Sequence, residues 1–450
     1  MMHEPIPMRL VYVVPFFPYP PSDGGSIRVW HTLRALAARN EVHLVVQGDR
    51  PSDELVAPVQ ALARSLTFVP PRARARHGRL VASRWAALVD ALRYPPSFLR
   101  RYRSAELVDR VAALIAAHDV DWLLCDTQLS GQLALSRHLP PVRRALCLYD
   151  VYEIYFRRKV ALAPWRPYKL RLALEWLKAR HYERRIVRRF DLVGVVSPRE
   201  RRIMSAQVPP LTPVVLTPNG VDTEYFQPYG GVEGGAWGIP GSIEGVADAA
   251  RVLFVGNLAY EPNDDGLRYF LDQIWPLVRA RAPSVRFTVV GKDPPAWLRE
   301  AAGRDDALTV TGAVDDVRPY YDSARVAVVP LRLGAGTKLK VLEALAMRVP
   351  VVATPEGRAG IDAQDGRHLL VGATPEQFAR HVATILGDRA LAARLRAAGR
   401  DLVERRYGWP AIMAVFEQAL REELPARRGV TRSGAPRCRA AHEEHEDAFS

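Results

Sequence analysis

Residues 330–361, PLRLGAGTKLKVLEALAMRVPVVATPEGRAGI, place two glycines, a lysine and a glutamate in an order suited to an anionic ligand. A strand-like apolar run ends at Pro330, Gly334 and Gly336 follow, and a helical pattern begins near Lys338. Glycines let backbone N–H groups approach an anion, a helix N-terminus adds positive potential, and Lys338 supplies a full charge. The segment Gly334, Gly336, Thr337, Lys338 therefore reads as a diphosphate cradle. It is not a Walker A loop, because GxxxxGK[ST] is absent, and nucleoside-triphosphate hydrolysis is not implied. Glu343 follows in an otherwise apolar run (Val341, Leu342, Ala344, Leu345, Ala346, Met347). A carboxylate there either points to solvent or accepts hydrogen bonds, and a vicinal diol such as a ribose matches its two oxygens. The glycine loop one turn away favours the ribose.

The elements that must carry these residues alternate strand and helix. RLVYVV at 9–14 is a near-continuous apolar run, as in a parallel strand covered on both faces. The Pro-rich loop PFFPYPPSDGG comes next, then a helical pattern over 26–39 with Ile27, Trp30, Leu33, Leu36 and Ala37 on one face, then VHLVV at 42–46. That is a βαβ unit with Gly24 and Gly25 at the strand-to-helix turn. Further strands are expected at 121–125, 144–149 and 191–196. A second cycle is expected from 251, with strands at 251–256, 285–291, 308–312, 325–330 and 349–354 and helices at 265–280, 315–322 and 338–348. The pattern predicts an α/β chain of two doubly wound domains, which accounts for 450 residues. The expected divisions are 8–212 for an N-terminal Rossmann-like domain, 213–400 for a C-terminal one, 401–424 for a helix returning toward the first, and 425–450 for a disordered tail. The Gly/Pro/Glu-rich stretch 228–245 reads as an insertion or linker.

Composition excludes several classes. Three cysteines (Cys125, Cys147, Cys438) without a CxxC pair argue against a disulfide framework or a structural zinc site. No apolar run reaches the ~18 residues of a membrane span, and the Leu10–Phe17 run reads as a buried strand, not a signal peptide. A cytoplasmic protein is expected. The 63 Lys+Arg against 49 Asp+Glu give +14, but residues 72–110 carry ten Arg against three acids and residues 157–202 carry fifteen Lys or Arg against four. These two segments are either solvated helix faces or a surface for an anionic membrane or acceptor. No RRM, KH, zinc-finger or helix-turn-helix signature accompanies them, so nucleic acid is not an expected partner.

The Gly24-Gly25 loop, SPRE at 197–200, PNGVD at 218–222, FVGNLAYEPNDDG at 254–266, VVGKDPP at 289–295, VTGAVDDVRPYY at 310–321 and the 330–361 segment form an ordered set of anchors. In order and spacing the chain resembles the GT-B-fold glycosyltransferases of family 4 over residues 9–424. It is similar in detail to exopolysaccharide-type transferases with a GxGTKLKVLEA loop. The resemblance implies two Rossmann-like domains facing a central cleft. It implies transfer of a sugar from a nucleotide-sugar donor to a glycan or lipid-linked acceptor, with retention of anomeric configuration. No metal and no cofactor are expected, and peripheral association with the inner face of an anionic plasma membrane is. An epimerase or hydrolase of nucleotide-sugars and a non-catalytic partner protein are the alternative readings of the same fold.

The resemblance assigns residues position by position. Gly24 and Gly25 close on the donor diphosphate from the N-terminal domain. Asn257 and Lys292 follow the first two strands of the second domain, Gly312 and Val314 present backbone to the nucleobase, Lys338 faces the diphosphate and Glu343 holds the ribose. Lys338, Asp150 and Glu343 form the expected catalytic set. Three departures stand out. The first position of the family's paired-glutamate motif is Ala335. The frequent Arg after the first VG of the second domain is Asn257, and the usual following Lys falls among Glu261, Pro262, Asn263 and Asp264, so neutralisation rests on Lys338 with Lys292 or Lys340. The frequent His-Asn or His-Asp pair corresponds to Tyr149-Asp150. Tyr149 cannot replace a histidine's proton chemistry near neutral pH. Asp150 either binds a sugar hydroxyl or the acceptor, or caps the next helix; His31 and His138 are further candidates.

Overall fold

The computed structural model describes residues 6–21, 23–70, 94–102, 104–163, 167–228, 251–334 and 337–424. Gly336, Ala335, the 425–450 tail, nearly all of the 228–245 stretch and most of the first basic segment lie outside the described residues.

Two sheets, of seven and six strands, form the scaffold, and every strand pair in them is parallel. The first contains β1 (Arg9–Val14), β2 (Glu41–Val46), β3 (Ser65–Phe68), β4 (Trp122–Asp126), β5 (Arg143–Leu148), β6 (Leu192–Val195) and β7 (Val214–Leu216), in the order β3-β2-β1-β4-β5-β6-β7. Its helices are α1 (Gly24–Ala37), α2 (Asp53–Gln60), α3 (Ala105–His118), α4 (Thr127–Gly131), α5 (Tyr152–Leu162), α6 (Pro167–Val187) and α7 (Pro198–Ser205). The second sheet contains β8 (Arg251–Val255), β9 (Arg286–Val290), β10 (Leu308–Val310), β11 (Val326–Val329), β12 (Val351–Ala353) and β13 (Leu370–Val371), in the order β10-β9-β8-β11-β12-β13. Around it lie α8 (Glu261–Tyr269), α9 (Trp275–Arg281), α10 (Ala296–Arg304), α11 (Arg318–Asp322), α12 (Leu339–Ala346), α13 (Pro355–Arg358), α14 (Pro375–Gly387), α15 (Arg389–Arg406) and α16 (Trp409–Glu422).

The strands form where Val and Leu predominate, and both faces of the first sheet are covered: Val11, Val13, Leu123 and Val193 join one core, Leu10, Tyr12, Leu44 and Leu124 the opposite one. In each sheet the order reverses beside one strand, between β1 and β4 and between β8 and β11. Open parallel sheets bind ligands beyond the carboxyl ends of strands at such points, and the two reversal points face one cleft. The chain crosses between the domains at 217–222 and again at 407–409, where Val221 N–H donates to the Tyr407 carbonyl at 2.7 Å. Helix α16 then returns to the first domain, burying Phe416 and Leu420 in the core that holds Tyr12 and Trp122.

Some boundaries differ from the sequence reading. Helix α1 starts at Gly24, two residues early, because Asp23 caps it and pairs with Ser26 in a capping box. The helix expected at 265–280 begins at Glu261 and passes through a π turn at Phe270–Ile274. The helix expected at 315–322 begins at Arg318, whose N–H is taken by the Asp316 carboxylate at 2.9 Å. Strands β3, β7 and β13 add to those the sequence predicts; each is two to four residues long, too short for a period to show.

Candidate active site

Lys338 immediately precedes α12 and is only 8% exposed. Its ammonium lies 4.0 Å from a Glu356 carboxylate oxygen, and the charges of Asp150 and Glu200 from the first domain also act on it. Burial pushes its pKa down, and those three carboxylates pull it back up. Asp150 lies two residues beyond β5 on the opposite wall. Burial raises its carboxyl to about 6, and Lys338 opposes the rise. Gly334, at φ +119°, sits in the left-handed region that favours glycine, and the Lys338 side chain reaches back toward it. The structure thus brings Lys338, Asp150 and Gly334 together across the cleft.

Glu343 and Lys340 form a second group on α12. Tyr321 donates its hydroxyl to Glu343 at 3.0 Å. Burial raises the Glu343 pKa, while that hydrogen bond and the Lys340 charge lower it. Lys340 donates to Asn263 Oδ1 at 2.7 Å and stands 4.0 Å from the Phe254 ring centroid, and burial depresses its pKa to about 7. Asn263 in turn donates to the Asn257 carbonyl at 2.7 Å.

Other expected site residues have local duties. Asn257 turns its side chain onto its own loop, accepting from Ala259 N–H at 3.1 Å. Lys292 contributes its carbonyl to Leu258 N–H at 3.0 Å. Gly312, at φ +76°, accepts from Gly291 N–H at 3.1 Å, and Val314 packs against the second-domain core that holds Tyr321 and Val329. Thr337 is an interdomain tie: its hydroxyl donates to the Val196 carbonyl at 3.0 Å, and its carbonyl accepts from Asn219 Nδ2 at 3.3 Å. Gly24 and Gly25 belong to the first turn of α1, not to a loop. The Asp23 carboxylate takes the Gly25 and Ser26 N–H groups at 3.0 and 3.1 Å. Gly24 faces the Leu339 side chain, so the N-terminal ends of α1 and α12 meet at the same cleft. His31 stacks on Trp409 at 4.9 Å with its pKa lowered by burial to about 4, and His138 lies exposed on a turn.

Sequence reasoning missed the floor of the first domain. Asp126 ends β4, where Tyr12 donates to it at 2.8 Å and Tyr149 donates to the same oxygen. The Arg28 guanidinium stands 5.0 Å from the Tyr149 ring centroid and anchors on Thr217, Pro218 and Asn219. Burial raises Asp126 to about 7, and the two tyrosine hydrogen bonds lower it only in part. Its other oxygen, Oδ2, has no hydrogen-bond partner among the described residues. Thr127 beside it sits at φ +63°, a costly conformation for a β-branched residue and one that concentrates at functional sites. An aspartate closing the apolar run WLLC was the available signal. Glu183 of α6 was also missed: its carboxylate accepts from Tyr152 N–H at 2.7 Å and Glu153 N–H at 2.9 Å, capping α5 from outside. Asp150 is therefore not the cap of that helix.

Among the described residues, the one group of three side chains placed to hold a metal is Glu41, His43 and His118. It lies near the amino end of β2, away from the cleft. No helix among the described residues is long and apolar enough to cross a membrane.

Comparison with known proteins agrees with this geometry. Residues 22–225 match the family described as Glycosyltransferase Family 4, and residues 249–388 match Glycosyl transferases group 1. The GDP-mannose-dependent alpha-(1-6)-phosphatidylinositol monomannoside mannosyltransferase of Mycobacterium tuberculosis is 28% identical over 380 residues, covering 78% of this chain and 93% of the relative. An uncharacterized 44.6 kDa protein in the cps region of Klebsiella pneumoniae is 29% identical over 139 residues, covering 29% of this chain and 36% of that protein's length. Sucrose-phosphate synthase from Thermosynechococcus elongatus superposes with a TM-score of 0.67 at 19% identity, covering 92% of this chain and 98% of that one. With the two matched regions spanning both domains and the two facing parallel sheets, the chain belongs to the family 4, group 1 glycosyltransferases of the GT-B fold.

Proposed function

We propose that the chain moves a sugar, with retention of configuration, from a nucleotide-sugar to a glycan or lipid-linked acceptor in the synthesis of a cell-surface or exported polysaccharide. The observation that carries this reading is the buried Lys338 ammonium at the start of α12, opposite Asp150 and beside Gly334. In the reaction the acceptor oxygen bonds to the anomeric carbon, the bond from that carbon to the phosphate oxygen breaks, and the acceptor's proton passes to the departing diphosphate. Lys338 and the amides around Gly334 stabilise the charge that develops on the leaving group, in a site where burial strengthens each interaction. Glu343, oriented by Tyr321, holds the ribose, and Asp150 holds a hydroxyl of the sugar or acceptor. No group on these walls is required as a metal ligand.

The relatives support the context: one is named for a GDP-mannose donor and a phosphatidylinositol-linked acceptor, the other for a cps region. The surface supports a membrane setting. Helices α5 and α6 expose Leu162, Tyr168, Leu170 and Leu177, with Leu170 at 67%, and Lys169 and Arg171 flank Leu170 in the chain. Exposed apolar side chains with cations beside them suit a cytoplasmic leaflet rich in anionic phospholipid.

The test is a melting-temperature screen of UDP-, GDP-, ADP- and dTDP-sugars, followed by a transfer assay with the donor that stabilises most. Lys338→Ala and Glu343→Ala are expected to stay folded and to lose transfer by orders of magnitude. Wild-type rates in both would remove the assignment, and turnover without acceptor would point to hydrolysis or epimerisation. Co-sedimentation with phosphatidylglycerol vesicles should fall with salt and with Leu170→Glu; binding indifferent to both would remove the membrane role.

A further inference from the structure

We propose that Arg158 of the first domain binds the donor diphosphate from across the cleft, exchanging Glu356 for phosphate oxygens when the donor enters. The inference rests on the proposed donor site and deepens it. Its first support is position. The Arg158 guanidinium donates to the Gly334 carbonyl and pairs with the Glu356 carboxylate, the same group that lies 4.0 Å from Lys338. Two cations from opposite domains thus flank one carboxylate at the mouth of the glycine loop. The side chains of Arg158 and Glu356 are 18% and 15% exposed, so the pair is held largely out of water. A carboxylate in that place occupies what a diphosphate, with more charge and more acceptor oxygens, would fill better, and a guanidinium matches phosphate oxygens two at a time.

The second support is the charge of the facing loop. Residues 256–264, which follow β8 at the reversal point of the second sheet, contain no Lys or Arg and carry Glu261 and Asp264. The first domain supplies cations there instead. Lys159 donates to Glu261 at 2.8 Å and Tyr155 donates to the same oxygen at 2.9 Å. Tyr155, Arg158 and Lys159 stand at i, i+3 and i+4 of α5 and therefore share one face, turned to the second domain. That face carries Lys159 to neutralise Glu261 and leaves Arg158 for the anion beside Lys338. A diphosphate carries more than one negative charge, and Arg158 gives Lys338 the second cation that such a ligand requires.

Calorimetric titration of wild type, Arg158→Ala, Arg158→Lys, Glu356→Gln and Lys338→Ala tests the assignment. The ligand is whichever of UDP, GDP, ADP and dTDP most raises the wild-type melting temperature, compared with its own monophosphate. Arg158→Ala is expected to weaken the diphosphate at least ~10-fold and the monophosphate less than ~3-fold, with Arg158→Lys between. Glu356→Gln, which frees the guanidinium, should bind the diphosphate as tightly as wild type or more so. If Arg158 were only an interdomain tie, Arg158→Ala and Glu356→Gln would weaken both ligands alike, and the proposal would be overturned. It would also be overturned if Lys338→Ala lost the diphosphate while Arg158→Ala kept it; the donor site would then stand and the Arg158 role alone would fall. If no diphosphate bound wild type, the donor site itself would fail, and the inference with it.

Discussion

Replacing Asp126 by asparagine should abolish a defined part of the protein's pH dependence of stability. The carboxyl is buried, accepts from two tyrosines on one oxygen, and has a pKa raised to about 7 from an ordinary value near 3.8. A raised carboxyl binds more protons folded than unfolded between those values, so this group lowers stability as pH rises through the window. The penalty is nearly absent at pH 4 and fully present above pH 7. Three units at about 1.4 kcal/mol each give about 4 kcal/mol across the window. Asparagine keeps the oxygen that Tyr12 and Tyr149 use, and it puts a buried amide where Oδ2 has no partner, a cost of about 1–3 kcal/mol that does not vary with pH. The quantity to measure is therefore the difference between wild type and Asp126→Asn in urea unfolding free energy at pH 4.5 and at pH 8. Asp150 and Glu183, also raised, titrate in both proteins and cancel. The variant should gain roughly 3–4 kcal/mol relative to wild type between the two pH values. A relative change below about 0.5 kcal/mol would show that Asp126 is ionised in the fold without penalty, and the account of the cleft floor would be wrong.

Three further outcomes follow from named contacts. A Cβ on Gly291 would stand 1.7 Å from the Gly256 carbonyl oxygen, so Gly291→Ala should cost at least about 3 kcal/mol in urea unfolding; a loss under 1 kcal/mol would refute that close approach. Phe416→Ala should cost about 3–5 kcal/mol, because the ring is fully buried among first-domain strands although its helix follows the second domain. Glu343→Ala should weaken the nucleoside diphosphate that best stabilises the wild type by roughly 10- to 100-fold, the value of a charge-assisted hydrogen bond, and leave its 2′,3′-dideoxy analogue nearly unaffected; equal losses on both would deny the ribose contact.

The fold was legible because parallel strands buried on both faces are written as runs dominated by Val and Leu, and because Gly and Pro punctuate them. The Lys338 loop was legible for a similar reason: its glycines, cation and helix start are contiguous. What the sequence hid are partnerships between distant positions. Tyr12 and Asp126 are 114 residues apart, and Arg158 and Glu356 are 198 apart, so no spacing announces either pair. Arg158 and Glu183 were further masked by composition. Both stand in a segment so rich in arginine that a solvated face was an equal reading, yet Arg158 lies across the cleft and Glu183 is buried as a helix cap. Gly24 and Gly25 read as a loop in the sequence because a pair of glycines usually breaks a helix. The Asp23–Ser26 capping box overrides that cost.

The most direct test of the central claim is a ¹H NMR time course of sugar transfer to a lipid-linked or glycan acceptor, using the nucleotide-sugar that most stabilises the protein. The anomeric configuration of the new glycosidic bond is read from the coupling of its anomeric proton. The account predicts a product with the donor's anomeric configuration from wild type and none above background from Lys338→Ala. An inverted product, or retained transfer at the wild-type rate without Lys338, would contradict it.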